Sequence, residues 1–368
     1  MSAERAKRTD ASPSDASPVT AEAAELTVVA AADAARADWD GFVSTAAQAE
    51  LYHDYRWRGL IEDVFGHECH YLLARERSGS VRGALPLVRL RSRLFGNFLV
   101  SMPYFNYASV LGDSARARDA LVAASAAIGR SLGVGHIELR GRAHQDLDLP
   151  VREDKVSMRL ELPTSAEELF KRFDSKLRAQ IRRPQKVGAT SRLGGAELLD
   201  DFYRVFAINM RDLGTPVYPR RFFAAIVAMF PEEANVCVVY LKGKPAAAGL
   251  VLRHRGTLEI PWASSLREAN RDGVNMLLYW SVLEHAIASG CKTFDFGRSS
   301  KESGAYRFKQ QWGAVPEQLR WHYWLSDGAQ IPQITPNNPK YRIAISVWKR
   351  LPVSIANVLG PHIVKNLP

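Results

Sequence analysis

The pattern that most constrains this chain is a supersecondary unit that occurs twice. Tyr71–Leu90, YLLARERSGSVRGALPLVRL, reads as a β-hairpin turning at Ser78–Ser80, with leucine and β-branched residues on both arms. Val236–Ser265 does the same and turns at Lys242–Lys244. Each hairpin carries a glycine early in its second arm, Gly83 and Gly249. Downstream, Ala120–Gly141 reads as helix, glycine stop and strand, and Asn275–Arg298 repeats that order. In the second helix Met276, Trp280, Leu283 and Ile287 form one apolar stripe. Gly290 ends it, and Lys292–Gly297 alternates as a short strand. Two copies of a hairpin–strand–helix–strand unit fit better than one large domain, so an α/β chain of mixed sheets built as two tandem units is expected.

Between the copies, Pro163 breaks a strand and Thr164 or Ser165 can cap a helix, with glutamates following. The expected division is a first unit at 26–165, a second at 166–330 and a basic C-terminal segment at 331–368. Residues 1–25 lack aromatics and are rich in Ser, Ala, Pro, Asp and Glu, so a disordered leader is expected there.

The net charge of +10 is concentrated in Lys171–Arg192, where eight Lys and Arg residues face only Asp174. Such a stripe suits phosphates of a nucleic acid, a nucleotide or an anionic lipid; a solvated helix face is the plainer reading. Cys69, Cys237 and Cys291 are odd in number and scattered, which fits free thiols in a reducing cytoplasm. The histidines show no ligand spacing, so no metal is expected. No secretory signal and no apolar run of about 18 residues is visible, which also points to the cytoplasm. Tyr341–Lys365 mixes aliphatics with Lys349, Arg350 and Lys365. It can dock on the second unit, or lie as a basic amphipathic segment against the inner membrane.

The order of each unit is that of the GNAT (Gcn5-related acyltransferase) fold. FDFGRSSKESGAYRFKQQWG (Phe294–Gly313) resembles the signature of FemAB-like proteins, which are non-ribosomal aminoacyl- and acyltransferases with two GNAT-like domains. Three further runs are similar to the subgroup linked to exosortase/PEP-CTERM and exopolysaccharide gene clusters. They are Leu94–Asp113, RDLGTPVYPRRFF (Arg211–Phe223) and Asn337–Leu367. The resemblance spans roughly Leu26–Pro368. It implies two tandem domains of the acyl-CoA N-acyltransferase fold. It also implies transfer of an acyl group to an amine of an envelope saccharide or peptidoglycan-type precursor, which can be lipid-linked. The donor would be acyl-CoA, an acyl carrier or aminoacyl-tRNA, with no tightly bound cofactor. The chain has no room for the long helical arm of several tRNA-dependent members.

The resemblance places Phe308 and Lys309 at the reacting ester, with the lysine stabilising negative charge and the ring excluding water. On residue type alone, they read as a core phenylalanine followed by a surface lysine. Asp295, between Phe294 and Phe296, is expected to pair with Arg298 or Lys309, because a buried carboxylate is costly alone. It would orient the amine, take its proton, or serve as a structural ion pair. Gly297 is expected to end the strand and aim Arg298 into a crevice as a phosphate or carboxylate clamp. Tyr306 would bond the acceptor or pack beside Trp312. Two loops are rich in proline and tyrosine: Met102–Tyr107, with Tyr104, Asn106 and Tyr107, and Gly214–Pro219, with Thr215 and Tyr218. With Trp262 they would line an acceptor groove, or form rigid packing between units. Arg271, Gly273 and Asn275 match the donor-pyrophosphate loop of GNAT enzymes only in part; Arg178 and Arg182 would add charge. Two other readings are a non-catalytic polysaccharide- or membrane-partner-binding protein and a nucleic-acid-binding module.

Overall fold

The computed structural model describes residues 25–142, 147–332 and 339–367; apart from Glu25, the expected leader lies outside them. The first half runs β1 (Leu26–Ala30), α1 (Arg36–Thr45), α2 (Arg56–Phe65), β2 (Glu68–Cys69), β3 (Leu72–Glu76), β4 (Val81–Leu85), β5 (Val88–Ser92) and β6 (Gly96–Val100). It continues with β7 (Leu111–Gly112), α3 (Ala115–Ser131), β8 (His136–Arg142), β9 (Val151–Arg152) and β10 (Lys155–Glu161). The second half begins α4 (Ala166–Arg172), α5 (Ser175–Lys186), β11 (Thr190–Gly194), α6 (Leu199–Leu213) and α7 (Arg220–Met229). Next come β12 (Ala234–Leu241), β13 (Lys244–His254), β14 (Thr257–Ser265), α8 (Val274–Ala288) and β15 (Thr293–Ser300). The chain closes with α9 (Gly304–Gln310), β16 (Val315–Leu325), α10 (Pro339–Trp348) and α11 (Val353–Val364).

The two units are tandem GNAT-like domains, and the repeat is visible strand by strand. Each half contains one short parallel pair, β6 with β8 and β14 with β15, among antiparallel neighbours. Each pair has an acid near its end: Glu138 opposite Val100, and Asp295 opposite Glu259. The two hairpin glycines serve one purpose. A Cβ on Gly83 would stand 2.8 Å from the Leu111 carbonyl, and one on Gly249 3.0 Å from the Ile260 side chain.

The halves share one twelve-stranded sheet, ordered β11-β12-β13-β14-β15-β10-β16-β8-β6-β5-β2 with β9 against β16; β1, β3, β4 and β7 form a smaller one. β10 lies between β15 and β16, and β16 returns to pair with β8. The exchange covers edges that two separate sheets would leave open. Residues 165 and 166, the expected division, thus part the chain but not the sheet; Ser165 does cap α4, accepting from the Glu168 N–H at 3.2 Å.

Apolar clusters fill both faces. One joins α2, α6, α7 and the 102–108 loop; the other joins α4, α5 and α8. α8 is buried nearly all round, on Val274, Leu278 and Val282 as well as Met276, Trp280 and Leu283. A single stripe was too narrow a reading, because this helix lies between the sheet and α5.

Candidate active site

The site lies where β14 and β15 part. Their parallel register runs from Thr257 opposite Thr293 to Glu259 opposite Asp295 and stops. β15 continues against β10, with Arg159 opposite Asp295 and Ser157 opposite Arg298, so β15 carries one extra residue. This is a bulge at Gly297, whose φ of 74° is strained for other residues. The strand therefore bends at Gly297 and runs on to Ser300, where an exit was expected. The extra residue reverses the alternation and brings Arg298 onto the Asp295 face.

Asp295 is 1% exposed. Its carboxylate accepts from Tyr107 Oη (2.9 Å), Ser157 Oγ (2.7 Å), the Gly297 N–H (2.7 Å) and Arg142 (3.4 Å). Arg298 and Lys309, its expected partners, do not pair with it. The partner is Arg142 at the end of β8, delivered by the strand exchange. Arg142 also holds Glu50 (2.5 Å) and Glu317 (2.9 Å) and lies over the Tyr107 ring. Beside them Glu259 accepts from Tyr52 Oη at 2.6 Å. Burial, with the Asp295 charge next, pushes Glu259 up to about 8. Glu50, Tyr52, Arg142, Glu259, Asp295 and Glu317 line a polar cavity of about 360 Å³ between the halves.

On the other side of the bulge stands α9, capped by Ser303, which accepts from the Tyr306 N–H at 3.1 Å. Lys309 is 8% exposed, and its ammonium donates to the Gly297 and Arg298 carbonyls, both at 2.9 Å. Burial pulls its pKa down to about 8, with the Asp295 charge opposing and Arg298 reinforcing the shift. An ammonium has three N–H donors, and the bulge uses two. Phe308 meets Tyr279 edge-on at 5.0 Å. Both rings line a second cavity of about 210 Å³, with Asn209, Ser264, Ser265 and Asn275.

That cavity reaches the start of α8, where the dipole is positive; the Met276 and Leu277 N–H groups already donate to the Gly273 carbonyl. Gly273 precedes the helix at φ 75°, and Asn275 is in its first turn. Arg271 is exposed in the preceding turn. Gly273 faces the Gln180 carbonyl and Pro184 of α5. Arg178 and Arg182 flank Gln180 on that helix; Arg182 stacks over Phe170. All five proposed phosphate-binding residues thus belong to one end of α8 and the neighbouring α5.

Arg298 is exposed and lies over the Trp321 ring at 4.9 Å. Among the described residues its guanidinium has no hydrogen-bond partner. Arg140, also against Trp321, is committed to Glu138 (2.7 Å) and the Phe105 carbonyl (2.6 Å). The two tyrosine loops meet beside this crevice. Tyr104 and Tyr218 are edge-on at 5.4 Å, and Trp262 packs against Tyr218 and Phe105. Asn106 Nδ2 would stand 4.0 Å from a Cβ on Gly297. Thr215 is exposed on the turn that closes α6, and Tyr107 belongs to the Asp295 network. Tyr306 packs with Phe308 on the α8 core.

Arg142, Ser157, Glu259 and Tyr52 were not singled out from sequence. The signal was there as alternation: Glu138, Arg140 and Arg142 occupy every second position of β8. Such a pattern ordinarily marks a solvated face.

Residues 171–310 match the family model of the acetyltransferase (GNAT) domain. No curated protein matches the chain in sequence. Among solved structures, that of FemX is 14% identical, with a TM-score of 0.60 over 87% of this chain and 100% of its own. The C-terminal domain of a putative lysylphosphatidylglycerol synthetase from Agrobacterium fabrum is 12% identical, with a TM-score of 0.53 over 79% and 92%. A tandem GNAT protein from the clavulanic acid biosynthesis pathway is 13% identical, with a TM-score of 0.50 over 84% and 100%. At these identities the likeness is one of fold.

Proposed function

We propose that this chain is an N-acyltransferase that takes an acyl group from a phosphate-bearing thioester or ester donor and passes it to an amine. The observation that carries this reading is Lys309: a buried ammonium at the parting of β14 and β15, with one N–H uncommitted among the described residues, next to a phenylalanine that lines a cavity. The donor's acyl arm occupies the Phe308–Tyr279 cavity, and its phosphates meet the start of α8 and the α5 cations. The amine comes from the Arg298 crevice. Its nitrogen bonds to the acyl carbon, and the carbonyl becomes an oxyanion to which Lys309 donates. Collapse breaks the bond to the thiolate or alkoxide, which leaves with the proton the amine gives up. Asp295 acts as a positioning residue, since its carboxylate has four donors already and holds the Gly297 N–H.

Acyl-CoA, an acyl carrier and aminoacyl-tRNA all present phosphate and remain the candidate donors. The uncommitted guanidinium of Arg298 favours an acceptor with a carboxylate or phosphate near its amine, as in an envelope saccharide or peptidoglycan-type precursor. The resemblance to FemAB-like and exopolysaccharide-linked proteins points the same way. A second reading rests on the same lysine: its two backbone bonds also suit a purely structural pin in a non-catalytic binding protein. The test incubates the chain and Lys309→Met with candidate acyl-CoAs, acyl carriers and charged tRNAs and follows turnover by mass spectrometry. Turnover lost in the variant supports the proposal; equal turnover, or none with any donor, overturns it.

A further inference from the structure

We propose that α10 and α11 form an interfacial helix pair that seats the molecule on an anionic lipid bilayer. From 328 to 368 the chain contains five Lys or Arg residues and not one Asp or Glu. Among the described residues both helices hold to the body by one side. Ile345 packs on Gly214, Gly360 packs on Val217, and the Leu351 carbonyl accepts from Arg211 at 2.7 Å. The outward side carries five aliphatic side chains among Ser346, Ser354 and His362. Ile343 is 77% and Val358 67% exposed, and Val347, Ile355 and Leu359 are exposed beside them. Leu213, next to Gly214, extends the patch onto α6. Lys349 and Arg350 are exposed in the turn that joins the two helices.

Apolar side chains mixed with uncompensated cations on a helical surface match the boundary between headgroups and acyl chains. A second copy fits poorly, because a self-complementary contact would set like charges against each other. Among the described residues no helix is long and apolar enough to cross a membrane, so the contact is with one leaflet.

The pair is tied to the crevice. The Lys365 carbonyl, just past α11, accepts from Tyr104 Oη (2.8 Å) and His67 Nε2 (2.7 Å). α11 thus rests on both tyrosine loops, at Tyr104 and Val217. Docking would bring those loops to the headgroup layer and so favour a lipid-linked acceptor; this last clause rests on the function proposed above, the docking itself does not.

The test is cosedimentation of the full chain with phosphatidylcholine vesicles with and without about one third phosphatidylglycerol. No donor or acceptor is present, so the result is independent of transfer. Binding to the anionic vesicles is expected, about tenfold weaker to phosphatidylcholine alone and weaker as salt rises. Ile343→Ser with Val358→Ser, and separately Lys349→Glu with Arg350→Glu, should each lower partitioning about tenfold or more while circular dichroism stays unchanged. The proposal is overturned in any of three cases. The first is that wild type does not sediment with anionic vesicles. The second is that both variants bind as wild type, whether or not Lys176→Glu with Lys186→Glu on α5 abolishes binding. The third is a wild-type dimer that the Ile343/Val358 variant dissociates.

Discussion

Two buried charges stand on either side of the Gly297 bulge, and they are treated in opposite ways. Asp295 is saturated: a hydroxyl from each of two strands or loops, a backbone N–H and a guanidinium hold its carboxylate. Among the described residues Lys309 has two carbonyls for three donors, and its pKa has fallen. A fully bonded buried charge is held in one place and resists change. A buried charge with spare bonding capacity can respond to new charge nearby. On the function proposed above, one side of the strand is architecture and the other carries the chemistry.

The sharpest way to break that assignment is Asp295→Ala. It leaves Arg142 short of a partner in a closed network and should cost about 3–5 kcal/mol of stability, read from the urea midpoint. A small loss there, with activity abolished, would move Asp295 to the chemical side. Lys309→Met should do the reverse, lowering turnover about 10²–10³-fold with the fold retained by circular dichroism. Gly297→Ala probes the hinge between them. A Cβ there has ordinary room, its nearest neighbours being the Ile260 carbonyl at 3.8 Å and Asn106 at 4.0 Å. The cost is the left-handed backbone, about 1–2 kcal/mol, and turnover should fall with it because the Lys309 carbonyls sit on that bend.

The smallest effect is in the pH profile. Folded Lys309 releases its proton near pH 8, whereas an unfolded lysine does so near 10.5. Unfolding therefore takes up a proton between those values, and raising the pH through that window favours the folded chain as far as this group is concerned. Activity has the opposite sign: it should fall above about pH 8, approaching tenfold per pH unit, as the donating ammonium is lost. Lys309→Met should flatten the stability trend, which a comparison of urea midpoints at several pH values would show.

Local pattern was enough for much of this. Turn glycines, a Ser165 cap and the apolar spacing of α8 depend on neighbours in sequence, and they were enough to mark the repeated unit. The Phe308–Lys309 pair and the α8 start can be located from one short motif each, but the burial of Lys309 cannot, since its residue type alone reads as a surface lysine. The partner of Asp295 was not. Arg142 is far away along the chain, and reaches Asp295 only because β10 and β16 are exchanged between the halves. The bulge was hidden for a related reason: Gly297 reads as a strand end until the register against β10 shows one residue too many.

The sequence by itself determined the repeated fold unit, the motif at Phe294–Gly313 and the excess of positive charge, because these follow from spacing and composition. The tertiary structure decided which alternating charges are solvated and which are buried. Glu138, Arg140 and Arg142 alternate as an outer face of a half-buried strand would, yet they and Glu259 are buried where the two halves close over one sheet. Alternation states only that a residue faces away from its neighbours; what covers that face is a long-range fact.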